Sequence, residues 1–188
     1  MNGEQNDFHE AINTGDVEEV ERCIQAGVNP SAYDNYAIQM ASSNGHLSVV
    51  NRLLLDPRVD PSAKNNRAIR LASQHGHLPV VNRLLQDQRV DPSADNNYAV
   101  KNASTFGHLS VVDRLLQDAR VDPSADNNYV IRTASANGHL AVVERLLLDP
   151  RVDPSAHYNC AIRYASRYGH LAVVNRLLLD PRVDPNSV

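Results

Sequence analysis

The sequence predicts an all-α fold, an α-solenoid of about six stacked helix-turn-helix repeats. Three observations predict it. The dipeptide Gly-His recurs every 31 residues from Gly45 to Gly169, and the tripeptide Val-Asp-Pro recurs at the same spacing from Val59 to Val183. Between these markers the apolar residues follow a helical period. Helices this short cannot bury their apolar faces alone, so neighbouring units must stack.

The period also predicts how the chain is divided. The whole chain, 1–188, is expected to form one repeat domain. Residues 1–28 diverge from the other units and carry many charges, as a capping repeat with a polar outer face does, so they are predicted to form the N-terminal cap. The remaining chain is predicted to form five repeats and a short tail, namely 29–59, 60–90, 91–121, 122–152, 153–183 and 184–188.

The first helix of each unit is predicted from a narrow apolar face. In 29–59 this face consists of Ala37, Ile38 and Ala41. Asn35 stands just before it and recurs in every unit, and an asparagine oxygen can accept hydrogen bonds from the open N–H groups of a first turn. Asn35 is therefore predicted to be the N-cap. Gly45 is predicted to end the helix, because glycine adopts the left-handed conformation that follows many helices.

The second helix is predicted from a wider apolar face. Five apolar side chains lie between Leu47 and Leu54 at helical spacing, so this helix should be the more buried of the pair. Asp56-Pro57 is predicted to close it, since a residue that precedes proline avoids the helical region. The segment 59–63 is then expected to be an extended connection to the next unit.

Composition and charge narrow the class of protein. The chain is 42% hydrophobic and 21% charged with a net charge of −4, which is typical of a folded protein. It has no apolar run of the roughly 20 residues that a membrane helix needs, and no basic leader. A soluble, intracellular and cytoplasmic protein is expected, or one in the host cytoplasm if the source is a pathogen or virus. Cys23 and Cys160 are expected to be free thiols.

No catalytic group, cofactor or metal is predicted. His46 and its counterparts occur once per unit, so two of them cannot chelate a metal from one helix, and we expect each to hydrogen-bond at the interhelix turn. Aspartates such as Asp60 recur in every connection and are expected to cap turns. One column of polar residues is expected to reach backbone oxygens between repeats, with an anion-binding stripe as the alternative: Gln39, Arg70, Lys101, Arg132 and Arg163.

The segment from Ala41 to Leu54, Ala-Ser-Ser-Asn-Gly-His-Leu-Ser-Val-Val-Asn-Arg-Leu-Leu, resembles ankyrin repeats, as do its four copies. The resemblance covers essentially the whole chain. The family's unit has about 33 residues and opens its first helix with Thr-Pro-Leu-His-x-Ala, whereas here the stretch is Tyr-Ala-Ile-Gln-Met-Ala from Tyr36. The two missing residues fall where the family makes a projecting β-hairpin turn. The resemblance therefore implies the ankyrin fold with little or no β-hairpin.

The resemblance also implies a binding surface, because in ankyrin arrays the exposed side of the first helix and the nearby loop form the concave face. The positions that vary between the five units fall on that side of the helix. They predict a protein-binding face made of Tyr33, Tyr36, Met40, Lys64, Arg67, Leu71, Gln74, His75, Tyr98, Asn102, Phe106, Tyr129, Thr133, Asn137, Tyr158, Tyr164, Arg167 and Tyr168.

The function expected from this face is recognition of a partner protein, without enzymatic activity. A membrane partner is not expected, and nucleic acid is disfavoured because the units carry no continuous basic stripe. Two alternatives stay open. The array could be a structural or self-assembling spacer that associates through its uncapped C-terminal repeat. It could also be a fragment of a longer array with no partner of its own.

Overall fold

The computed structural model describes residues 3–187, and within this range the chain is helical and contains no strand. The predicted all-α class without β-hairpins is therefore confirmed. Two compact units divide the chain, residues 1–91 and 92–188. The first unit holds helices α1 (Gly3–Thr14), α2 (Val17–Gln25), α3 (Ala32–Ser43), α4 (Leu47–Leu54), α5 (Ala63–Gln74) and α6 (Leu78–Leu84).

The second unit repeats the same alternation of a longer and a shorter helix. Its elements are α7 (Ala94–Thr105), α8 (Leu109–Leu116), α9 (Ala125–Ala136), α10 (Leu140–Leu147), α11 (Ala156–Arg167), α12 (Leu171–Leu178) and a 3-10 turn (Pro185–Ser187). No helix between residues 3 and 187 has both the length and the apolar character needed to cross a bilayer.

In each unit, like helices pack on like. In the first unit α3 packs between α1 and α5, and α4 packs between α2 and α6. In the second unit α9 lies between α7 and α11, and α10 between α8 and α12. The predicted apolar columns form the core, since Ile38, Ala41 and Leu53 are fully buried, as are their counterparts Ile131, Ala134 and Leu146. The predicted stacking of helix pairs is thus found within both units.

Glycine ends the first helix of each pair, as predicted. Gly45 follows the C-cap of α3 and has φ +78. A Cβ atom at this position would lie 2.6 Å from Nδ1 of His77, a residue of the next repeat. Two constraints therefore exclude a side chain here, the left-handed backbone and the imidazole packed against it.

The start of each first helix differs from the prediction. Tyr33, Asp34 and Asn35 have φ angles of 53, 56 and 65 degrees, so three successive residues without glycine are left-handed. The corresponding triplets of the other four repeats share this conformation. Asparagine and aspartate tolerate it better than other residues. One left-handed turn therefore stands where a β-hairpin was not expected and an extended entry was.

The predicted N-cap role of Asn35 is wrong. An N-cap residue needs an extended backbone to present its side chain to the following turn, and Asn35 is left-handed instead. Its Oδ1 accepts a hydrogen bond of 2.7 Å from the backbone N–H of Asp60 in the next repeat. The same bond recurs in the other repeats, from Asn66 to Asp91, Asn97 to Asp122, Asn128 to Asp153 and Asn159 to Asp184.

The polar column that begins at Gln39 closes the left-handed turn. Nε2 of Gln39 donates to the backbone oxygen of Asp34 at 2.7 Å, and Arg132 donates to the oxygens of Asp126 and Asn127 at 3.0 Å. The prediction of backbone acceptors is right for these two residues. The prediction that they lie in a neighbouring repeat is wrong, because the left-handed turn brings its own carbonyl groups within reach.

The connection between units is a tight turn rather than the predicted extended segment. Oδ1 of Asp60 accepts from both N–H and Oγ of Ser62, at 2.9 and 2.7 Å, and the N–H of Ala63 donates back to the oxygen of Asp60. The predicted turn-capping role of Asp60 is confirmed. The side-chain bonds replace hairpin pairing and keep the connection short.

A second repeated device is an Asp-x-Arg clasp that follows each second helix. Asp149 accepts from the backbone N–H, Nε and Nη2 of Arg151, and Nη1 of Arg151 donates to the oxygen of Val121 in the preceding repeat at 2.9 Å. Arg89 and Arg182 make the equivalent bonds. The clasp therefore ties consecutive repeats together inside each unit.

We expect this clasp to make stability depend on acid. The side chain of Arg58 lowers the pKa of Asp56 to about 2, from an ordinary value near 3.8. A carboxyl whose pKa is lower in the folded state stabilises the fold above its unfolded pKa, and the contribution is lost as pH falls through the folded pKa. The free energy of unfolding should therefore fall between about pH 4 and pH 2.

Urea denaturation at a series of pH values measures this dependence. In the variant Asp56→Asn the slope between about pH 4 and pH 2 should be shallower than in the natural sequence, because one titrating group has been removed. An identical slope in both proteins would show that the Asp56 pair does not contribute.

Candidate functional site

The outer ends of the first helices are accessible in both units. The residue that caps each first helix is exposed in every repeat, Asn44 and His75 in the first unit and Phe106, Asn137 and Tyr168 in the second. These five side chains differ in size and polarity, whereas the Gly-His-Leu that follows them does not vary. Variation is therefore concentrated where side chains meet solvent.

In the first unit most of the predicted binding residues are accessible. The side chain of Tyr33 is 65% exposed and that of Tyr36 is 39% exposed. The other exposed members are Lys64, Arg67 and His75, and the half-buried members are Met40, Leu71 and Gln74. Tyr33 and Lys64 both stand in left-handed turns, and Lys64 Nζ pairs with Asp34 at 2.7 Å.

In the second unit the predicted residues separate into three groups by burial. Asn102 is 9% exposed and does not present a surface to a partner. Tyr129 and Thr133 are half-buried. The exposed members are Tyr98, Phe106, Asn137, Tyr158, Tyr164, Arg167 and Tyr168.

The last repeat carries a cluster of exposed aromatic residues around α11. The rings of Tyr164 and Tyr168 lie 6.2 Å apart, and the guanidinium of Arg167 is 5.9 Å from the Tyr168 ring. Tyr158 precedes them in the left-handed turn and is 83% exposed. A hydrogen bond with Cys160 raises the pKa of Tyr164, so its phenol keeps its proton and can donate to a partner. We call Tyr158, Tyr164, Arg167 and Tyr168 the α11 cluster.

A second aromatic ring of this unit lies among cations. Lys101 Nζ is 5.4 Å from the ring centroid of Tyr129, and the guanidinium of Arg132 is 5.7 Å from it. Lys101 is 7% exposed and also pairs with Asp126 at 3.3 Å. A buried lysine needs such partners, so this group holds two repeats together and presents little free surface.

An aromatic group in the first unit includes one residue that the sequence analysis missed. The ring of His9 in α1 lies 5.6 Å from that of Tyr36 and 6.1 Å from that of Tyr33. Aligning Gly15 of the cap with Gly45 would have placed His9 in the column of Gln39. The cap is one residue shorter than the 31-residue period, and a search at that period passes over the correspondence.

The repeated histidines hold the interhelix turns together, as predicted. Nε2 of His46 lies 2.9 Å from the backbone oxygen of Asn13 in the preceding repeat, and His77, His139 and His170 make equivalent bonds. Residues 3–187 contain no group of three histidine, cysteine or acidic side chains placed to share a metal ion. Cys23 and Cys160 are both buried free thiols, as predicted.

A comparison with protein families gives a match over almost the whole chain. The family model described as ankyrin repeats (three copies) matches residues 8–96 and again residues 97–188. The chain belongs to the ankyrin repeat family. The resemblance seen in the Ala-Ser to Leu-Leu segment is thereby confirmed. No curated protein matches the sequence.

Membership of the family gives a general function. Ankyrin repeats are in general protein–protein interaction modules, and the family is typically non-enzymatic. This chain has ankyrin repeats of 31 residues, in which the left-handed turn and its Asn–Asp bond occupy the place of the family's hairpin.

Proposed function

We propose that this ankyrin repeat protein recognises a partner protein on the concave face, the one formed by the first helices and the left-handed turns. The observation that carries the proposal is the contrast between the columns. The invariant columns are buried or bonded to neighbouring repeats, while the variable columns expose tyrosine, phenylalanine and arginine. A surface needed only for stacking would have no use for exposed aromatic residues.

The backbone of Tyr158 supports the proposal. Tyr158 has φ 60, and its counterparts at the same turn position are Asp34, Asn65, Asn96 and Asn127. A bulky residue in the left-handed region is strained, and strain of this kind concentrates at functional sites. Because its ring is 83% exposed, Tyr158 has no packing role that would offset the strain.

The mechanism we propose is preorganised complementarity. Clasped and hydrogen-bonded repeats hold the side chains of the α11 cluster in place before a partner arrives, which lowers the conformational entropy lost on binding. Tyrosine and arginine are enriched among the few residues that supply most of the binding energy at protein interfaces. We therefore place the strongest contacts of the second unit at the α11 cluster.

Capture of partners by the immobilised protein tests the proposal. The triple variant Tyr164→Ala, Arg167→Ala, Tyr168→Ala should lose a protein that the natural sequence retains. A matched control replaces three exposed residues associated with the second helices, Glu144, Leu148 and Asn175, with alanine. It should retain that protein. Equal capture by the triple variant and the natural sequence would contradict the proposal.

We expect Tyr158→Asn to separate stability from binding. Asparagine tolerates the left-handed backbone better than tyrosine, so the free energy of unfolding should rise by roughly 0.5–1 kcal/mol. Binding of the captured partner should weaken, since an exposed aromatic contact is lost. Urea denaturation and affinity measurement on the same variant check both effects. A stabilised variant with undiminished affinity would remove Tyr158 from the interface.

A second candidate function is self-association through the last repeat. Leu171 is 72% exposed and Leu178 is 41% exposed, whereas their counterparts Leu140 and Leu147 are half-buried. A Cβ atom built on Gly169 would meet no atom within 4 Å. Light scattering that rises with concentration, and that is abolished by Leu171→Glu with Leu178→Glu, would support this candidate. Scattering of a monomer at all concentrations would dismiss it.

The remaining expectations are part of the same proposal. We propose a cytoplasmic location, which the two buried free thiols favour because reducing compartments keep cysteines unpaired. We keep the predicted repeat limits, from the cap at 1–28 to the tail at 184–188. Nucleic acid stays disfavoured as a partner, since the first 28 residues hold a charge of −6 against a total of −4.

A further inference from the structure

A pocket lined by three aromatic side chains lies on the first unit. His9 of α1 and Tyr33 and Tyr36 of α3 enclose about 270 Å³. The imidazole meets the Tyr36 ring edge to face at 5.6 Å and the tilted Tyr33 ring at 6.1 Å. The two tyrosines are 65% and 39% exposed, so the rings can be reached from solvent. We call this the aromatic pocket.

The rings of this pocket are held in place from behind. Nε2 of His9 accepts a hydrogen bond of 3.1 Å from the side-chain amide of Gln5, so this nitrogen carries no proton and the imidazole is uncharged. Tyr33 is left-handed at φ 53, where the other repeats have Lys64, Asp95, Asp126 and His157. Three neutral aromatic rings present electron-rich faces, and such faces attract cations within about 6 Å.

Charge in the surrounding cap favours a basic ligand. Helices α1 and α2 with their turns carry seven carboxylates and a single arginine, Arg22. Arg22 donates to Glu19 through Nε and Nη2, so its charge is already matched. A second cleft of about 240 Å³ is lined by four carboxylate residues together with Ala11 and Thr14, namely Asp7, Glu10, Asp16 and Glu19. We call this the acidic cleft.

The aromatic pocket and the acidic cleft flank the same helix. On an α-helix His9 lies about 200° from Asp7, with Glu10 between them on the exposed side. The two sites are therefore separated by roughly the 10 Å width of a helix. An extended peptide covers that distance in about three residues.

We propose that this end of the first unit binds a basic segment of a partner protein. One lysine or arginine enters the aromatic pocket, and a second, three residues away, lies at the acidic cleft. The segment crosses the exposed side of α1 between Tyr33 and Asp7. The inference rests on the proposed function and specifies its ligand, since it adds the chemistry of one partner segment to the recognition of a protein.

Titration with a defined peptide tests the inference. The probe is a fluorescein-labelled hexapeptide, blocked at both ends, with arginines at positions two and five and small neutral residues elsewhere. It should bind the natural sequence at low salt and bind less well as salt is added. Replacing either arginine with glutamine should weaken binding. A peptide that binds equally well with both arginines replaced would overturn the inference.

Variants of the pocket locate the bound cation. Tyr33→Leu with Tyr36→Leu keeps an apolar surface and removes the ring faces, and should weaken the peptide roughly threefold to thirtyfold, the range of one cation–π contact. The control Tyr158→Leu removes an equally exposed left-handed tyrosine of the other unit and should leave affinity unchanged. Asp7→Asn with Glu10→Gln should weaken binding and flatten its salt dependence.

Nuclear magnetic resonance distinguishes this inference from the broader proposal. The side-chain methylene protons of one peptide arginine should shift upfield by the ring currents of the aromatic pocket. Binding without ring-current shifts, or affinity that survives loss of both tyrosines, would overturn the basic-segment inference. If partner capture still depends on the α11 cluster in that case, the proposed function stands without it.

Discussion

Replacing Gly138 with alanine is expected to lower the free energy of unfolding by about 3 kcal/mol. Gly138 has φ +74, and placing alanine in the left-handed region costs roughly 1–2 kcal/mol. The new Cβ would also lie 2.6 Å from Nδ1 of His170. Moving that ring breaks its hydrogen bond to the oxygen of Ala136, which contributes about 1 kcal/mol. Urea denaturation followed by circular dichroism measures the loss.

Gly169 provides the matched control for this prediction. Its backbone is almost the same, at φ +77, but a Cβ atom there meets nothing within 4 Å. Gly169→Ala should therefore cost only the conformational part, roughly 1–2 kcal/mol. Equal losses in the two variants would show that the imidazole packed on Gly138 contributes nothing to the stacking of repeats.

Replacing Asn128 with alanine is the second change with a large expected effect, about 2–4 kcal/mol. Asn128 is buried and left-handed at φ 58, and its Oδ1 accepts from the N–H of Asp153 at 2.7 Å. Alanine tolerates this backbone poorly, and the N–H of Asp153 would lose its partner inside the stack. The same denaturation measurement applies.

Two variants separate the causes of that loss. Asn128→Asp keeps both an acceptor oxygen and tolerance of the left-handed backbone, so it should lose much less stability. Asn159→Ala removes the equivalent bond to Asp184, which is exposed and can bind water instead, so its loss should be smaller than that of Asn128→Ala. Losses that are equal at positions 128 and 159 would contradict the role assigned to the buried bond.

The repeat architecture could be predicted because each core column carries its own signal. Val49, Val50 and Leu53 recur at a constant spacing, and apolar columns at helical spacing leave few alternatives to stacked helix pairs. The left-handed turn could not be predicted in this way. Three successive residues without glycine are disfavoured in that region, and asparagine just before a helix is ordinarily an N-cap. Tertiary bonds, such as the one from Asn35 to Asp60, select the rarer conformation.

The candidate binding face was predictable only in outline. Variation between units correctly indicated accessible positions such as Phe106 and Tyr168, which are exposed by more than half. It failed at Asn102, which varies but is buried, because variation in sequence does not measure exposure. It also missed His9, whose ring meets Tyr33 and Tyr36 only once the cap has packed on the next repeat.

Site-specific photo-crosslinking tests the central claim that the first helices and their turns carry the binding face. A photoreactive phenylalanine analogue is placed at Tyr168 on that face, or at Ala141 on the exposed side of the second helix α10. The proposed function predicts covalent adducts with the partner from position 168 and none from position 141. Adducts from position 141 alone, or equally from both positions, would contradict it.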